Sequence, residues 1–279
     1  MTQLDFRHLR GDISRWIEED LGAGDITSIL TIPNERSGEA VFVSKGDAII
    51  SGLPIAREIF RTIDSDVFFE LEVDEGSHVR NGEVLARVRG NLRSILASER
   101  LSLNLIQRLS GISTMTSTFV AEARGTKAKI ADSRKTTPGL RYLEKYAVKV
   151  GGGVNHRFGL FDGILIKDNH IESLGSVRAA TMAAKANAPH YLKVEVEVSN
   201  LDELQEALES GADGVLLDNM DDRSTEEAVR IVAGRVLVEA SGNMVLSRIA
   251  QVSRTGVDLI SVGALTHSAN AIDISLDIS

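Results

Sequence analysis

Three patterns of hydrophobic and polar positions follow one another along the chain. Between residues 34 and 90, apolar and polar residues alternate in short runs that stop at glycine, which predicts short β-strands joined by turns. Between residues 92 and 120 the apolar positions recur at helical spacing, with a break predicted near Gly111. Ser113 and Thr114 carry the side chains that favour the start of a second helix after that break.

The third pattern begins after Gly125, where short apolar runs alternate with stretches of helical periodicity. Apolar strands separated by helices indicate repeated βα units around a parallel sheet. The runs are AKIADSRKT, DGILIKDNH, YLKVEVEVSN, DGVLLDNM, RVLVEASGN and DLISVGALTH. They favour an α/β fold with a closed or nearly closed barrel. A doubly wound open sheet is the alternative, although no G-x-G-x-x-G sequence follows a strand.

Composition restricts the class of protein. The chain has 279 residues, of which 43% are hydrophobic and 25% charged, as is typical of a globular protein with one large or two ordinary domains. It contains no cysteine, and no apolar run is long enough to span a membrane. The charged N-terminus lacks the apolar core of a signal peptide. These features predict a cytoplasmic protein without a membrane partner.

The charge is unevenly distributed. The net charge of −9 argues against a nucleic-acid partner. Residues 124–167 nevertheless contain ten lysines or arginines and three acidic residues. A local cationic excess in an acidic protein indicates a small, highly anionic ligand. Arg141, Lys145 and Lys149 are spaced four residues apart, so we interpret these three as one exposed helical face instead.

Each predicted strand of the third region ends in polar residues, which is where the active sites of α/β barrels lie. In chain order, these residues are Asp132, Ser133, Arg134, Lys135, Lys167, Asp168, Asn169, His170, Glu195, Glu197, Asp218, Asn219, Glu239, Ser241, Gly242, Asn243, Ser261, Gly263 and Thr266. The lysines and arginines predict binding of phosphate and carboxylate groups. Glu197 and Asp218 suit Mg²⁺ or the hydroxyls of a sugar. The loops 241–243 and 262–264 precede helices, and their backbone N–H groups suit a phosphate.

His156 and Arg157 form a further candidate pair. They follow the triple glycine at 151–153 and precede a strand that ends at Lys167. A histidine and an arginine on a loop in this position favour a functional role. A lysine on a barrel strand also permits Schiff-base chemistry, so a lyase is one alternative and a phosphate-binding barrel without catalysis is another. No Walker A sequence is present, which argues against nucleoside triphosphate hydrolysis.

Several segments of the chain resemble those of the quinolinate phosphoribosyltransferases. They are EEDLGAGDITS, SERLSLNLIQRLSGIST, ADSRKTTPGLRYLEKYAVKVGGGVNHRFGLFDGILIKDNHI, GADGVLLDNM and SVGALTHS. The resemblance runs in the family's order from about Trp16 to Ser268. A paralogous family associated with molybdenum transport shares the fold but lacks KDNHI after the second strand, and it remains an alternative.

The resemblance implies a type II phosphoribosyltransferase, with an N-terminal α/β sandwich domain at 1–110 and an incomplete α/β barrel at 111–279. The implied reaction converts quinolinate and phosphoribosyl pyrophosphate into nicotinate mononucleotide, pyrophosphate and CO₂ in NAD biosynthesis. The implied cofactor is Mg²⁺, with no organic cofactor. The implied assembly is a homodimer in which Arg100 enters the neighbouring subunit's site.

Site residues follow from the resemblance by position. The implied catalytic residues are Lys135, Lys167, Glu197 and Asp218, the last two also being metal ligands. The implied substrate-binding residues are Arg100, Ser133, Arg134, Lys135, His156, Arg157, Lys167, Glu195, Glu197, Asp218, Ser241, Gly242, Asn243, Val262, Gly263 and Ala264. Within this set, Arg134, His156 and Arg157 would hold the two carboxylates of quinolinate. Glu195 shares a strand face with Glu197, so either is the candidate for the key acid.

One position departs from the family's pattern. The phosphate loop commonly reads Ser-Gly-Gly in the family, whereas this chain has Ser241, Gly242 and Asn243. Asparagine tolerates a positive φ better than most residues, so we expect the loop to keep its shape. The phosphate contact at Asn243 depends on that shape.

Overall fold

A computed structural model describes residues 4–278 of the chain. The helices are α1 (Arg10–Leu21), α2 (Ile26–Thr31), α3 (Leu53–Ile63), α4 (Leu92–Glu122), α5 (Arg141–Val150), α6 (Asp168–Leu174), α7 (Val177–Asn187), α8 (Leu201–Glu209), α9 (Asp222–Val232), α10 (Leu246–Arg254) and α11 (Ala264–His267). Within residues 4–278, no helix has the length and apolar character needed to cross a membrane.

The strands belong to three sheets. They are β1 (Ser37–Ser44), β2 (Ala48–Ile49), β3 (Phe68–Leu71), β4 (His78–Val79), β5 (Val84–Asn91), β6 (Lys129–Ala131), β7 (Ile164–Ile166), β8 (Val194–Val198), β9 (Gly214–Asp218), β10 (Leu237–Ser241), β11 (Leu259–Ser261) and β12 (Ile274–Ile278). Contacts divide the chain into two compact units. The first comprises the described residues up to Met115, Pro138–Gly152 and the described residues after Ser268, and the second comprises Thr116–Thr137 and Gly153–Ser268.

The first unit is built on an antiparallel sheet with the strand order β12-β1-β5-β3, beside a separate β2–β4 pair. Its core includes a cluster of three aromatic rings, from Phe42, Phe60 and Phe69, whose centroids lie 5.4 to 6.0 Å apart. Phe42 comes from β1, Phe69 from β3 and Phe60 from α3, so the cluster joins the sheet to a helix. This combination confirms the predicted α/β character of the N-terminal region.

Helix α3 was not predicted. The alternating pattern of residues 34–90 indicated strands throughout, and this was wrong for 53–63, which are helical. Pro54 lies in the first turn, where its missing N–H removes no helical hydrogen bond. Buried residues at 55, 56, 59 and 60 recur at helical spacing, and this signal was present in the sequence.

The predicted break near Gly111 was also wrong, because α4 is continuous from Leu92 to Glu122. A Cβ atom at Gly111 would lie 2.0 Å from the carbonyl oxygen of Asn270. Glycine is therefore required here because the backbone of Asn270 packs directly against the helix. The Ser113 hydroxyl donates to the Ala147 carbonyl oxygen at 2.8 Å. Thr114 Oγ1 accepts from the Ile49 N–H at 2.9 Å. The two hydroxyls therefore make tertiary contacts and cap no helix.

Helix α5 is more buried than its charge pattern indicated. We interpreted Arg141, Lys145 and Lys149 as one exposed face, but Lys145 is only 2% exposed. The residues from 143 to 148 are all buried, so the helix has little solvent-facing surface in its centre. Spacing places the three cations on one face, but it does not determine whether that face meets water.

The second unit contains six parallel strands in the order β6-β11-β10-β9-β8-β7. Strands β7 to β11 thus lie side by side in chain order, and β6 joins the far end of the series. A doubly wound sheet would instead reverse its direction at a switch point, so the order supports a barrel. Among the described residues β6 and β7 do not pair, and β6 instead forms a bridge from Ala131 to Val154. The barrel is therefore incomplete, as the resemblance implied.

Three helices of the second unit begin at a polar side chain that caps the helix N-terminus. The side chains of Ser176, Asn200 and Asp221 each accept a hydrogen bond from the backbone N–H three residues later. Such caps satisfy donors that the first turn of a helix leaves open. These three side chains therefore define the points at which α7, α8 and α9 begin.

Candidate active site

A cavity of about 620 Å³ opens at the carboxyl ends of the parallel strands. Thirteen of the predicted site residues line it, namely Ser133, Arg134, Lys135, His156, Arg157, Lys167, Glu197, Asp218, Ser241, Gly242, Asn243, Gly263 and Ala264. These come from positions far apart in the sequence, and the barrel brings them together because its parallel strands end on the same side.

Three predicted residues do not line the cavity. Val262 is buried, at 1% exposed, at the end of β11. Glu195 lies beneath the cavity wall and contacts His156 instead. Arg100 belongs to the first compact unit, where its side chain is 60% exposed on α4. The cavity is lined in addition by eight residues outside the substrate-binding set that the resemblance implies, namely Leu165, Leu216, Asn219, Glu239, Met244, Val245, Ser261 and His267. Three of these, Asn219, Glu239 and Ser261, were among the polar residues expected at the strand ends.

The loop that carries His156 is anchored by a buried carboxylate. Asp132, which follows β6, is fully buried and accepts from Asn155 Nδ2 at 2.6 Å and from the His156 N–H at 2.9 Å. His156 Nδ1 in turn accepts from the Arg157 N–H at 2.7 Å. Asp132 therefore fixes the backbone from which both His156 and Arg157 reach the cavity.

The positively charged side chains of Arg134 and Arg157 both line this cavity and repel each other. Arg157 donates from Nη1 to the Gly163 carbonyl oxygen at 2.9 Å, which orients its guanidinium. Burial lowers the pKa of Arg157 below its ordinary value, and the neighbouring charge of Arg134 lowers it further. Glu195 and Asp162 act in the opposite direction. A pair of adjacent guanidinium groups is favourable when an anion lies between them, so this wall suits a ligand with carboxylate groups.

Two lysines occupy different surroundings. Lys167, directly after β7, donates from Nζ to Glu197 on β8. Lys135 is exposed, and its backbone carbonyl oxygen accepts from Thr266 Oγ1 at 2.7 Å. A Cβ at Gly263 would lie 3.0 Å from Lys135 Cδ, so the lysine stem packs against the start of α11. The cavity thus has one lysine beside a carboxylate and one beside a glycine loop.

Carboxylates for a metal ion are also in place. Glu197 and Asp218 lie on the adjacent strands β8 and β9, and both line the cavity. Mg²⁺ prefers oxygen ligands and commonly takes one or two protein carboxylates together with the phosphates of a substrate. The pair fits that donor set, and the Lys167 side chain beside Glu197 adds positive charge for the same phosphates.

The loop after β10 holds Asn243 in the left-handed conformation that asparagine tolerates. Asn243 has φ +46° and Gly242 has φ +91°, so both adopt the left-handed region. Asn243 Nδ2 donates to Asn219 Oδ1 at 3.0 Å, and the Asn219 N–H donates to the Ser241 carbonyl oxygen at 3.0 Å. The loop after β9 and the loop after β10 are therefore joined by side-chain and backbone bonds.

Gly242→Ala is expected to damage this loop, whereas Asn243→Gly is expected to be tolerated. A Cβ at residue 242 would lie 2.3 Å from Asn219 Oδ1, and the positive φ alone costs an L-residue about 1–2 kcal/mol. Glycine at 243 keeps the backbone conformation and loses one hydrogen bond of about 1 kcal/mol. Denaturant unfolding of the two variants measures both effects. Equal stability of Gly242→Ala and the parent protein would contradict this account of the loop.

A second group of charges lies deeper in the wall. Glu239 on β10 is 1% exposed, and neither of its carboxylate oxygens has a hydrogen-bond partner within residues 4–278. His156 Nε2 is 3.6 Å from Glu239 Oε1 and 3.5 Å from Glu195 Oε2. Burial raises the pKa of Glu239 to about 7, and the charge of Glu195 contributes in the same direction. Glu239 is therefore partly protonated near neutral pH.

Fold and cavity together define a class of protein. An incomplete α/β barrel holds two arginines, two lysines and two carboxylates around a cavity at its strand ends, which is the composition of a site for polyanionic substrates and a divalent cation. Comparison with known proteins agrees with this class. The model of the quinolinate phosphoribosyl transferase C-terminal domain matches residues 112–277, and the model of the N-terminal domain matches residues 25–110.

Individual proteins are similar over their whole length. The nicotinate-nucleotide pyrophosphorylase (carboxylating) of Mycobacterium leprae is 43% identical over 286 residues, which cover 100% of both chains. The crystal structure of NadC from Streptococcus pyogenes has a TM-score of 0.97 at 36% identity and covers 100% of this chain and 99% of that one. The nicotinate-nucleotide pyrophosphorylase of Francisella tularensis has a TM-score of 0.94 at 39% identity, covering 100% and 98%. The chain belongs to the quinolinate phosphoribosyltransferase family.

Proposed function

We propose that this protein transfers the phosphoribosyl group of phosphoribosyl pyrophosphate to quinolinate, with loss of CO₂, to give nicotinate mononucleotide for NAD biosynthesis. The observation that carries the proposal is the pair Arg134 and Arg157, side by side in the cavity of a chain that belongs to this family. A guanidinium group binds a carboxylate through two parallel hydrogen bonds, so two arginines suit the two adjacent carboxylates of quinolinate.

The first chemical step joins two polyanions. The quinolinate nitrogen attacks C1 of the ribose while pyrophosphate leaves, through a transition state with oxocarbenium character. Lys135 and Lys167 neutralise charge that develops on the leaving pyrophosphate. The two arginines hold quinolinate in place, and this orientation lowers the barrier because the reactants no longer lose their freedom of motion in the step itself.

The second step is the loss of the carboxylate next to the nitrogen. After ribosylation the ring nitrogen is positively charged, and this charge stabilises the electron pair left on the neighbouring carbon. The chain's residues hold the other carboxylate and the 5′-phosphate while CO₂ departs. We assign the phosphate to the loops containing Ser241, Gly242, Gly263 and Ala264, whose backbone N–H groups lie at the strand ends.

Glu197 and Asp218 are the proposed ligands of Mg²⁺ and partners of the ribose hydroxyls. The ion, bound together with phosphoribosyl pyrophosphate, would supply charge neutralisation at the leaving group. Lys167 keeps the Glu197 carboxylate turned toward the cavity through its ion pair. The same ion pair weighs against a Schiff-base lyase, since it engages the Lys167 Nζ atom that an imine would need.

The proposed assembly is a homodimer in the cytoplasm, with Arg100 of each chain entering its partner's site. Arg100→Ala is then expected to be inactive alone, as is a variant of the barrel such as Lys135→Ala. Mixing the two should restore about a quarter of the wild-type sites if chains pair at random, because one site of each mixed dimer is intact. Refolding the two variants together and assaying turnover measures this. Mixtures that stay inactive although they contain mixed dimers would contradict the shared site.

The proposed reaction is tested by release of pyrophosphate from phosphoribosyl pyrophosphate when quinolinate is added. Nicotinate, which lacks one carboxylate, serves as the matched acceptor. It should react far more slowly, because it leaves one arginine of the pair without its partner. Pyrophosphate release that is equal with both acceptors, or absent with quinolinate, would refute the proposal.

A further inference from the structure

His156, Glu195 and Glu239 form a cluster, and the chemical steps given above assign no role to Glu239. His156 Nε2 and one oxygen of each carboxylate all lie within 4.8 Å of one another. A histidine and two carboxylates can bind a metal ion or can share a proton. The hydrogen bond that His156 Nδ1 makes distinguishes these two possibilities. His156 Nδ1 accepts from the Arg157 N–H at 2.7 Å, so the proton of the neutral ring is on Nε2.

That tautomer excludes the usual mode of metal binding. A histidine that binds a metal through one nitrogen donates the N–H of the other to an acceptor. Here the other nitrogen is itself an acceptor, and the Nε2–H points toward two carboxylates. The cluster therefore contains one N–H for two carboxyl groups, of which Glu239 is buried and Glu195 is partly exposed, and the acid with less solvent gains most from holding a proton of its own.

Glu239 is that acid. Its side chain is 1% exposed and that of Glu195 is 18% exposed. Among the described residues no hydrogen bond of normal geometry reaches either oxygen of Glu239, although the Ser261 hydroxyl lies near enough to lower its pKa. Glu197, in contrast, bonds Lys167, and Asp218 accepts from Asn219 Nδ2 at 3.0 Å. Glu239 also lines the cavity, in register with Leu216 of β9. It is thus a buried carboxyl group next to the space for the substrate.

The proposed reaction needs such a group. Loss of CO₂ leaves an electron pair on the pyridine carbon C2, and a proton must take the place of the carboxylate. We propose, on the basis of the function proposed above, that Glu239 in its neutral form is the acid that protonates C2 as CO₂ leaves. This makes Glu239 a catalytic residue and His156 a group that acts on both the substrate and Glu239.

Atoms and electrons balance as follows. The bond between C2 and the carboxylate breaks, its electron pair stays on C2 and CO₂ departs. In the same step the O–H bond of Glu239 breaks, its proton forms the new C2–H bond with that electron pair, and the electron pair of the O–H bond stays on the carboxylate. The Nε2–H of His156, 3.6 Å from Oε1, stabilises the negative charge left on Glu239. Water returns a proton to Glu239 after the product leaves.

The surroundings of Glu239 set the direction of its pH dependence. Burial raises its pKa to about 7, and the charges of Glu195 and Asp132 raise it too, whereas His156 and the nearby Ser261 hydroxyl lower it. The neutral acid is therefore abundant below about pH 7 and is lost as the pH rises through that value. The rate of CO₂ release in the first turnover should fall over the same range.

Glu239→Gln tests the proposal, because glutamine has the size of the neutral acid but no transferable proton. We expect first-turnover pyrophosphate release to persist while CO₂ release falls by about 10²-fold or more, as is typical when a general acid is removed. The ribosylated dicarboxylate should then accumulate. Glu226→Gln, on the exposed outer helix α9, is the matched control and should release both products at the wild-type rates.

Other outcomes separate the competing explanations. An equal fall of pyrophosphate and CO₂ release in Glu239→Gln, or no fall in either, would overturn the proposal. A wild-type protein that releases no pyrophosphate with quinolinate would instead refute the proposed function. Infrared spectroscopy gives a readout without substrate: the difference between the wild-type protein and Glu239→Gln should show the band of one protonated carboxyl group just below about pH 7, and this difference should fade above that pH. Absence of this difference just below that pH would equally overturn the proposal.

Discussion

Arg134→Ala is expected to lower kcat/KM for quinolinate by about 10²-fold or more while leaving the protein folded. The loss follows from the removal of one of two guanidinium groups that hold the substrate's carboxylates, a change that costs about 2–5 kcal/mol when a charged, desolvated partner disappears. In the protein without ligand, the change should also relieve the repulsion between Arg134 and Arg157. The charge of Arg134 lowers the pKa of Arg157, which means that the two cations disfavour each other in the empty cavity.

Kinetics at varied quinolinate concentration measure the change in kcat/KM. Thermal unfolding without ligand shows whether the variant is folded and how its stability changes. Lys135→Ala should also lose turnover, but mainly because its contact with phosphoribosyl pyrophosphate is lost. Arg230→Ala is a suitable control, because Arg230 lies on the outer face of α9 with 62% of its side chain exposed. A folded Arg134→Ala protein with unchanged kcat/KM would remove Arg134 from the site.

Asp132→Ala is expected to damage both stability and activity. The buried carboxylate accepts from Asn155 Nδ2 and from the His156 N–H, and alanine would leave both donors without this partner. Each unsatisfied buried donor costs about 1–3 kcal/mol, so the free energy of unfolding should fall by about 2–6 kcal/mol for the two donors. The loop that positions His156 and Arg157 would shift, and KM for quinolinate should rise.

Asp132→Asn separates charge from shape at this position. Asparagine has the same size, but its amide group presents a donor where the carboxylate presents an acceptor, so one of the two bonds to the loop is lost. We expect its stability to lie between those of the alanine variant and the parent protein in urea unfolding. An alanine variant as stable as the parent would show that Asp132 does not anchor the loop.

Much of the site could be predicted from the ends of apolar runs. Parallel strands around a barrel end on one side, so residues as distant as Lys135, Lys167 and Asp218 were expected to meet, and all three line the cavity. The left-handed conformation at Asn243 likewise follows from the tolerance of asparagine for positive φ. These predictions succeeded because each depends on local sequence and one rule of topology.

The roles of Glu239 and Asp132 could not be predicted in the same way. Both were recognised as polar residues at strand ends, but their importance comes from burial, which depends on neighbours contributed by other strands. The same limit explains Lys145, whose spacing was clear and whose environment was not. Gly111 was interpreted as a helix breaker, although its role is to admit the backbone of Asn270. A sequence shows which side chains share a face but not what covers that face.

The measurement that tests the central claim most directly is release of CO₂ from quinolinate labelled in its 2-carboxylate, with Mg²⁺, in the presence and absence of phosphoribosyl pyrophosphate. The account predicts release that depends strictly on the sugar donor, because only a ribosylated, positively charged ring nitrogen stabilises the carbon left behind. Release without the donor would contradict the order of steps. No release in either condition, from folded protein, would contradict the proposed reaction itself.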